Sequence, residues 1–180
     1  MKRRWAAALA MAMVAAFRAE AITVVPMTFE ELVGSAAAVV YGRVADVRGQ
    51  WTADRRSIDS IVTVEPLKYL KGDLGAQITL RLPGGEAGGT INILPGAPSL
   101  RAGDRAVLFI ATHGPAIPTT LGLGQGVFRV LRDSRTGTTI VSPPPLKASD
   151  AGRILRGASG RRPLSLDEFD AAVRTLASAR

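Results

Sequence analysis

The residues that could carry out chemistry are few, and their spacing excludes several reaction classes. His113 is the only histidine among 180 residues, and the chain has no cysteine. One histidine cannot form an HExxH zinc site, and without cysteine there is no thiolate nucleophile, Cys-ligated zinc or disulfide. A G-x-S-x-G nucleophile turn is missing, because Arg161 takes the final glycine position after Ser159. We therefore predict no catalytic residue and no metal site, and interpret His113 as an ordinary loop residue.

The glycine run Gly-Leu-Gly-Gln-Gly over residues 122–126 could suggest a phosphate cradle. The dinucleotide fingerprint, however, has the spacing G-x-G-x-x-G and connects a strand to a helix. This run has a different spacing, leads into a predicted strand and is followed by no Walker lysine. We therefore predict a tight turn or bulge and expect no cofactor. Gln125 would then either be displayed to a ligand or satisfy buried backbone groups.

Trp51 and Gln125 are the two candidate ligand-binding residues, for a ligand that the sequence does not identify. Trp51 lies in a predicted polar turn over residues 49–56, where an aromatic side chain could make an exposed contact or cover one end of a barrel. Asp54 and Asp59 lie nearby, but they lack the acidic density that a calcium loop requires. The sequence therefore indicates a binding surface more readily than a reaction centre.

The N-terminus has the pattern of a cleavable secretory signal peptide over residues 1–21. Three basic residues at positions 2–4 precede an uncharged apolar run over residues 5–17, and Ala19-Glu20-Ala21 has the A-x-A form of a cleavage site. The run is shorter than the roughly 20 residues that a membrane-spanning helix needs. We predict cleavage after Ala21, with an N-terminal core helix or an uncleaved anchor as the alternative. The mature chain would then be periplasmic or extracellular and would have no transmembrane segment.

The charge of the chain depends strongly on this predicted signal. The whole chain has 23 Lys and Arg against 15 Asp and Glu, and the signal contains four basic residues and one acidic residue. The mature chain is left with 19 basic and 14 acidic residues, a net charge of +5. That is a mild bias, well short of the basic stripe of a nucleic-acid-binding domain. We therefore expect no nucleic-acid partner.

Two helices are predicted near the ends of the mature chain. Thr28 and Glu31 form a capping box at the start of a short helix over 29–36, and Ser165 and Glu168 form another before a helix that ends near residue 178. Residues 143–164, rich in proline, glycine and basic residues, are predicted to be a linker. One face of the second helix is apolar and should pack on the barrel rather than on a partner. Its residues are Leu166, Phe169, Val173 and Leu176.

Residues 22–142, which include the first helix, are predicted to form an all-β domain. The linker over 143–164 and the C-terminal helix over 165–180 follow it. Residues 106–110 are apolar on both faces and should form a central strand. Gly42 would allow a small sheet to curl. Short antiparallel strands favour a small OB-like barrel, with an immunoglobulin-like β-sandwich as the alternative. The predicted strands cover residues 39–47, 58–69, 78–82, 90–93, 106–110, 127–131 and 138–141; the last two should form a hairpin, and residues 83–89 should form a loop.

A pattern of short motifs runs through residues 28–142. The motifs occupy 31–35, 40–44, 70–72, 82–85, 95–98, 103–109 and 124–130. Their order and spacing resemble an uncharacterised family of exported bacterial small β-barrel proteins of the OB or inhibitor type. The resemblance implies a fold and an exported protein, but no activity. Inhibitors of the metalloprotease-inhibitor type use an N-terminal cysteine on the target's zinc, and this chain has no cysteine.

These observations favour an exported, non-enzymatic binding or accessory domain whose ligand is unknown and whose partner would be another exported protein. One alternative is a carboxylate-dependent hydrolase, which would need two acids within about 10 Å of each other in a cleft. The other alternative is a structural module that docks on a partner through its C-terminal helix. A deep pocket with paired acids would favour the hydrolase, and a free apolar helix face would favour docking.

Overall fold

The structure is a computed structural model that describes residues 25–134, 136–144 and 162–179. The predicted signal peptide and residues 145–161 of the predicted linker lie outside the described residues. The helices are α1 (Phe29–Ser35) and α2 (Leu166–Ser178). A 3₁₀ turn covers Leu123–Gly126. The strands are β1 (Ala38–Trp51), β2 (Ile58–Lys71), β3 (Ile78–Pro83), β4 (Gly85–Ala87), β5 (Thr90–Asn92), β6 (Arg105–Ala111), β7 (Thr119–Thr120), β8 (Val127–Arg132), β9 (Thr139–Ser142) and β10 (Leu164–Ser165).

The main sheet is antiparallel, with the strand order β10-β9-β8-β6-β1-β2-β3, and β7 pairs with β6 off this path. The sheet is not closed by a ladder between its edge strands. One backbone hydrogen bond, from the Arg81 N–H to the Pro118 carbonyl at 2.9 Å, brings the segment before β7 to the outer edge of β3. Strands β4 and β5 form a separate two-stranded sheet. The all-β class and both predicted helices are confirmed, in a small fold of the barrel or sandwich kind.

Strands β1 and β6 lie at the centre of the sheet because both of their faces are apolar. Val107 and Phe109 of β6 belong to a core beneath the two helices, whereas Leu108 and Ile110 belong to a second core on the opposite face. We call these the helix-side core and the barrel-side core. Successive strand residues point to opposite faces, so one continuous apolar run supplies both cores. The prediction of a central strand at 106–110 is confirmed.

Helix α2 packs on the sheet of its own chain. Phe169 and Val173 are fully buried in the helix-side core, and Leu166 and Leu176 pack against it. Phe169 also belongs to a cluster of four rings whose centroids lie 5.2 to 6.3 Å apart, mostly edge to face. The apolar helix face on which the docking alternative depended is therefore covered. The four rings are Phe29, Phe109, Phe128 and Phe169.

Side chains of β2 fix both helices to the sheet. Lys71 donates from Nζ to the carbonyl oxygens of Val33 at 2.6 Å and Ala36 at 2.7 Å, at the C-terminal end of α1. A cation in this position satisfies carbonyls that the helix leaves open and complements the helix dipole. Asp170 of α2 forms an ion pair with Lys68 at 2.7 Å. Two lysines of one strand thus hold the two helices in place.

The sequence predictions differ from the structure mainly at the ends of the strands. Strand β1 continues to Trp51, four residues beyond its predicted end at 47, because β2 pairs with it along its whole length. Residues 83–89 were predicted to be a loop, yet 85–87 form β4 and pair with β5. Both capping boxes and the hairpin of β8 with β9 are present as predicted.

Candidate functional site

Trp51 is the last residue of β1, not part of the turn that the sequence suggested. It pairs with Ile58 across the β1–β2 ribbon, and it is 39% exposed. The turn that follows is ordered by Thr52, whose hydroxyl donates to Asp54 Oδ1 at 2.6 Å and accepts the Ser57 N–H at 3.2 Å. Trp51 is therefore held at the end of a rigid two-stranded ribbon.

The β4–β5 hairpin crosses this ribbon close to Trp51. The Gly84 N–H donates to the Ile58 carbonyl at 2.9 Å, and the Ser60 hydroxyl donates to the Gly84 carbonyl at 2.7 Å. Strand β4 lies directly on Gly49, where an added Cβ would overlap the Glu86 carbonyl oxygen. Residues two apart on a strand share a face, so Trp51 lies on the face of β1 that the hairpin crosses.

The outer side of the hairpin displays two exposed isoleucines. Ile91 of β5 is 65% exposed and lies opposite Glu86, and Ile93, just beyond β5, is 83% exposed. We call Trp51, Ile91 and Ile93 the hairpin surface. The two isoleucines were not among the candidate ligand-binding residues predicted from the sequence. The available signal was the alternation of Ile91 and Ile93 after Gly88-Gly89, a pair of residues suited to a two-residue hairpin turn.

Gln125 is buried, and its amide is used by the backbone of its own chain. Its Oε1 accepts the Met27 N–H at 2.8 Å, and its Nε2 donates to the Val25 carbonyl at 3.0 Å. Both halves of the amide thus hold the segment that precedes α1. Of the two roles considered for Gln125, this geometry corresponds to the satisfaction of backbone groups.

The glycine run around Gln125 directs its N–H groups inward. The N–H of Gly124 donates to the Gly96 carbonyl at 2.9 Å, and that of Gly126 donates to the Leu121 carbonyl at 3.0 Å. Gly122 has the left-handed backbone conformation, with φ 55° and ψ 33°. Phosphate cradles need N–H groups that point at the ligand, whereas these close a tight turn.

Acidic residues of the described segments lie mainly in ion pairs and in turns. These segments contain no group of three or more His, Cys, Asp or Glu residues arranged to hold a metal. A shallow depression beside β2 includes a single carboxylate, Asp73, and its Oδ1 accepts the Gly75 N–H at 2.7 Å. Within the described chain, every buried side-chain nitrogen or oxygen has a hydrogen-bond partner.

Three carboxyls have a pKa below the usual value, and each is lowered by its local structure. The Thr52 hydroxyl lowers the pKa of Asp54, and the Ser165 backbone and hydroxyl lower that of Glu168. Burial raises the pKa of Asp170, but hydrogen bonds from Lys68 and Arg174 outweigh this and lower it. A general acid at neutral pH needs a shift in the opposite direction.

Comparison with known protein families, with curated proteins and with solved structures found no match to this chain. The resemblance to exported small β-barrel proteins therefore stays a prediction from sequence motifs. Among the described residues, no helix is both long enough and apolar enough to cross a membrane.

Proposed function

We propose that this chain is an exported, non-enzymatic binding or accessory domain that contacts another exported protein through the hairpin surface. The observation that carries the proposal is the exposure of Trp51, Ile91 and Ile93 around the β4–β5 hairpin; Leu67 and Leu131 are exposed elsewhere, singly. Burying a large aliphatic side chain contributes about 1.5–3 kcal/mol, so these residues could supply much of the energy of a specific contact.

The framework beneath the hairpin surface suits a contact site. Gly49 allows β4 to lie directly on β1, so the position of the hairpin is fixed by backbone packing as well as by hydrogen bonds. Among the described strands, β5 pairs with β4 alone, which leaves its other edge available to an extended segment of a partner. A rigid apolar surface beside an open strand edge needs little reordering when it binds.

The proposal of export comes from the first 21 residues. The mature chain should begin at Ile22, and intact mass with N-terminal sequencing of the protein recovered outside the cytoplasm checks this directly. A recovered chain that still begins at Met1 would contradict cleavage. This test is independent of the hairpin surface.

Binding is tested by recovery of the partner with matched variants. Ile91→Ser combined with Ile93→Ser removes the exposed aliphatic groups, and Leu131→Ser on β8 is the control because Leu131 is 58% exposed elsewhere. Partner recovery from the exported fraction should fall about tenfold or more in the double variant, since tenfold corresponds to 1.4 kcal/mol. Unchanged melting temperatures show that both proteins stay folded. Equal recovery in the double variant and the control would contradict the proposal.

A further inference from the structure

Two arginines face each other across the central strands. Arg43 of β1 and Arg105 of β6 are direct cross-strand partners. Both lie on the helix-side face, because Arg43 is two residues beyond Tyr41 and Arg105 is two residues before Val107, and both of these belong to the helix-side core. Like charges directly opposite each other destabilise a sheet.

The backbone pattern places these two side chains close together. The Val44 N–H donates to the Asp104 carbonyl at 2.8 Å, so the next residue pair, Arg43 with Arg105, is of the non-hydrogen-bonded kind. Side chains are closest in pairs of that kind. The backbones of the two arginines are therefore as close as a cross-strand pair allows, while the Arg43 guanidinium reaches Glu65 on the neighbouring strand β2.

Acidic residues of the described chain neutralise only one of the two charges. Glu65 lies opposite Arg43 and accepts its guanidinium at 2.6 Å. Asp104 is engaged elsewhere: its Oδ2 accepts the Arg101 N–H at 2.9 Å and lies 3.6 Å from the Arg129 guanidinium. Arg105 is exposed and has no side-chain partner among the described residues.

We propose that Arg43 and Arg105 form a binding site for a phosphate-type oxyanion. Each guanidinium presents a planar fork of donors that matches two oxygens, and a tetrahedral phosphate has enough oxygens to accept from both arginines. The bound anion neutralises Arg105 and shares the Arg43 guanidinium with Glu65, which accepts from one of its nitrogens. Arg43 lies eight residues before Trp51 along β1, so this site is separate from the hairpin surface and the two proposals are independent.

The test is the melting temperature in phosphate against that in chloride, at equal ionic strength and pH. Phosphate at about ten times its dissociation constant should raise the melting temperature of the natural protein by roughly 2–5 °C. Arg105→Gln should lose this response and melt no lower than the natural protein in chloride, because the repulsion is gone. Arg56→Gln, in the distant β1–β2 turn, should respond to phosphate as the natural protein does. An equal response in all three would indicate a general effect of phosphate on the solvent and overturn the site.

Arg105→Lys tests the planar guanidinium group separately from its positive charge. A lysine keeps the positive charge but cannot bind two oxygens in a plane, so phosphate should bind about tenfold more weakly. An undiminished phosphate response in Arg105→Lys would overturn the paired-fork geometry. Amide chemical shifts at positions 43 and 105 should move together as phosphate is added. Shifts confined to other positions would contradict the assignment.

Sedimentation with lipid vesicles distinguishes a lipid headgroup from a soluble phosphate compound as the bound anion. If the anion is a lipid headgroup, the natural protein should sediment with phosphatidylglycerol vesicles and not with phosphatidylcholine vesicles, and Arg105→Gln should stay in solution. A phosphate-dependent melting shift without sedimentation instead identifies a soluble phosphate compound. The absence of both effects would overturn the proposal, whatever the outcome for the hairpin surface.

Discussion

Gly42 is a buried position in a central strand where a single added side chain should destabilise the fold. Strand β1 changes register against β2 between Tyr41 and Gly42, and this brings β2 close to the Gly42 backbone. A Cβ at this position would lie 2.6 Å from Val64 Cγ1 and 3.0 Å from the Glu65 carbonyl oxygen. Ordinary van der Waals contact begins near 3.4 Å, so either Val64 or the backbone of β2 must move.

The magnitude follows from two opposing terms. Overpacking a buried site costs about 1–3 kcal/mol, whereas replacing glycine lowers the entropy of the unfolded chain and returns about 0.4–1 kcal/mol. Gly42→Ala should therefore lose about 1–2 kcal/mol, and Gly42→Val should lose about 2–3 kcal/mol because its extra methyl groups meet the same neighbours. The melting temperature of Gly42→Val should fall by about 6–12 °C.

A double-mutant cycle tests the cause of this loss. Val64→Ala alone should destabilise the fold, because Val64 is fully buried in the barrel-side core. Combined with Gly42→Ala it should cost less than the sum of the two single changes, by about 1 kcal/mol, because the overlap with Cγ1 is removed. Denaturant unfolding measures all four proteins. Strict additivity, or an unchanged melting temperature in Gly42→Val, would refute the close approach.

Three further predictions concern the helices. Deletion of residues 143–180 should lower the melting temperature by several degrees, because it removes Phe169 from the aromatic cluster, and unchanged stability would contradict the packing of α2. Lys71→Met keeps the aliphatic stem but loses the bonds to the end of α1, and should cost about 1–3 kcal/mol in denaturant unfolding. Asp170 has a folded-state pKa below its ordinary value of 3.8, so its stabilising effect is complete at higher pH and is lost as the pH falls through the folded-state pKa. Asp170→Asn should therefore reduce the loss of unfolding free energy at acidic pH, as measured by denaturant unfolding. An unchanged loss would show that other carboxyls dominate it.

The fold was predictable where one local pattern decided the structure. Both capping boxes are self-contained signals of four residues, and both begin helices as predicted. The apolar run of β6 predicted a central strand because only a strand covered on both sides needs two apolar faces. Helix α2 has 13 residues and one narrow apolar face. A helix of this length is not stable alone in water, so its packing on the sheet of the same chain was expected.

The site was less predictable because it depends on contacts between distant segments. Trp51 was expected in a turn because its neighbours are polar, but pairing with Ile58 extends β1 to include it. The glycines around β4 indicated a loop, whereas Gly85 lets β4 lie against Ser60 of β2 and Gly49 lets it lie against β1. The position of Ile91 beside the β1–β2 ribbon follows from its pairing with Glu86, which lies on Gly49, and no local pattern contains that crossing. The buried contacts of Gln125 join segments about 100 residues apart in the chain.

Site-specific photo-crosslinking is the most direct test of the central proposal, that the domain is exported and binds through the hairpin surface. A photoreactive phenylalanine analogue at position 91 should yield one discrete crosslinked species outside the cytoplasm, and the same analogue at position 131 should yield none. Removing Trp51 as Trp51→Ala should weaken the crosslink from position 91. A discrete crosslink from position 131 with none from position 91 would contradict the account.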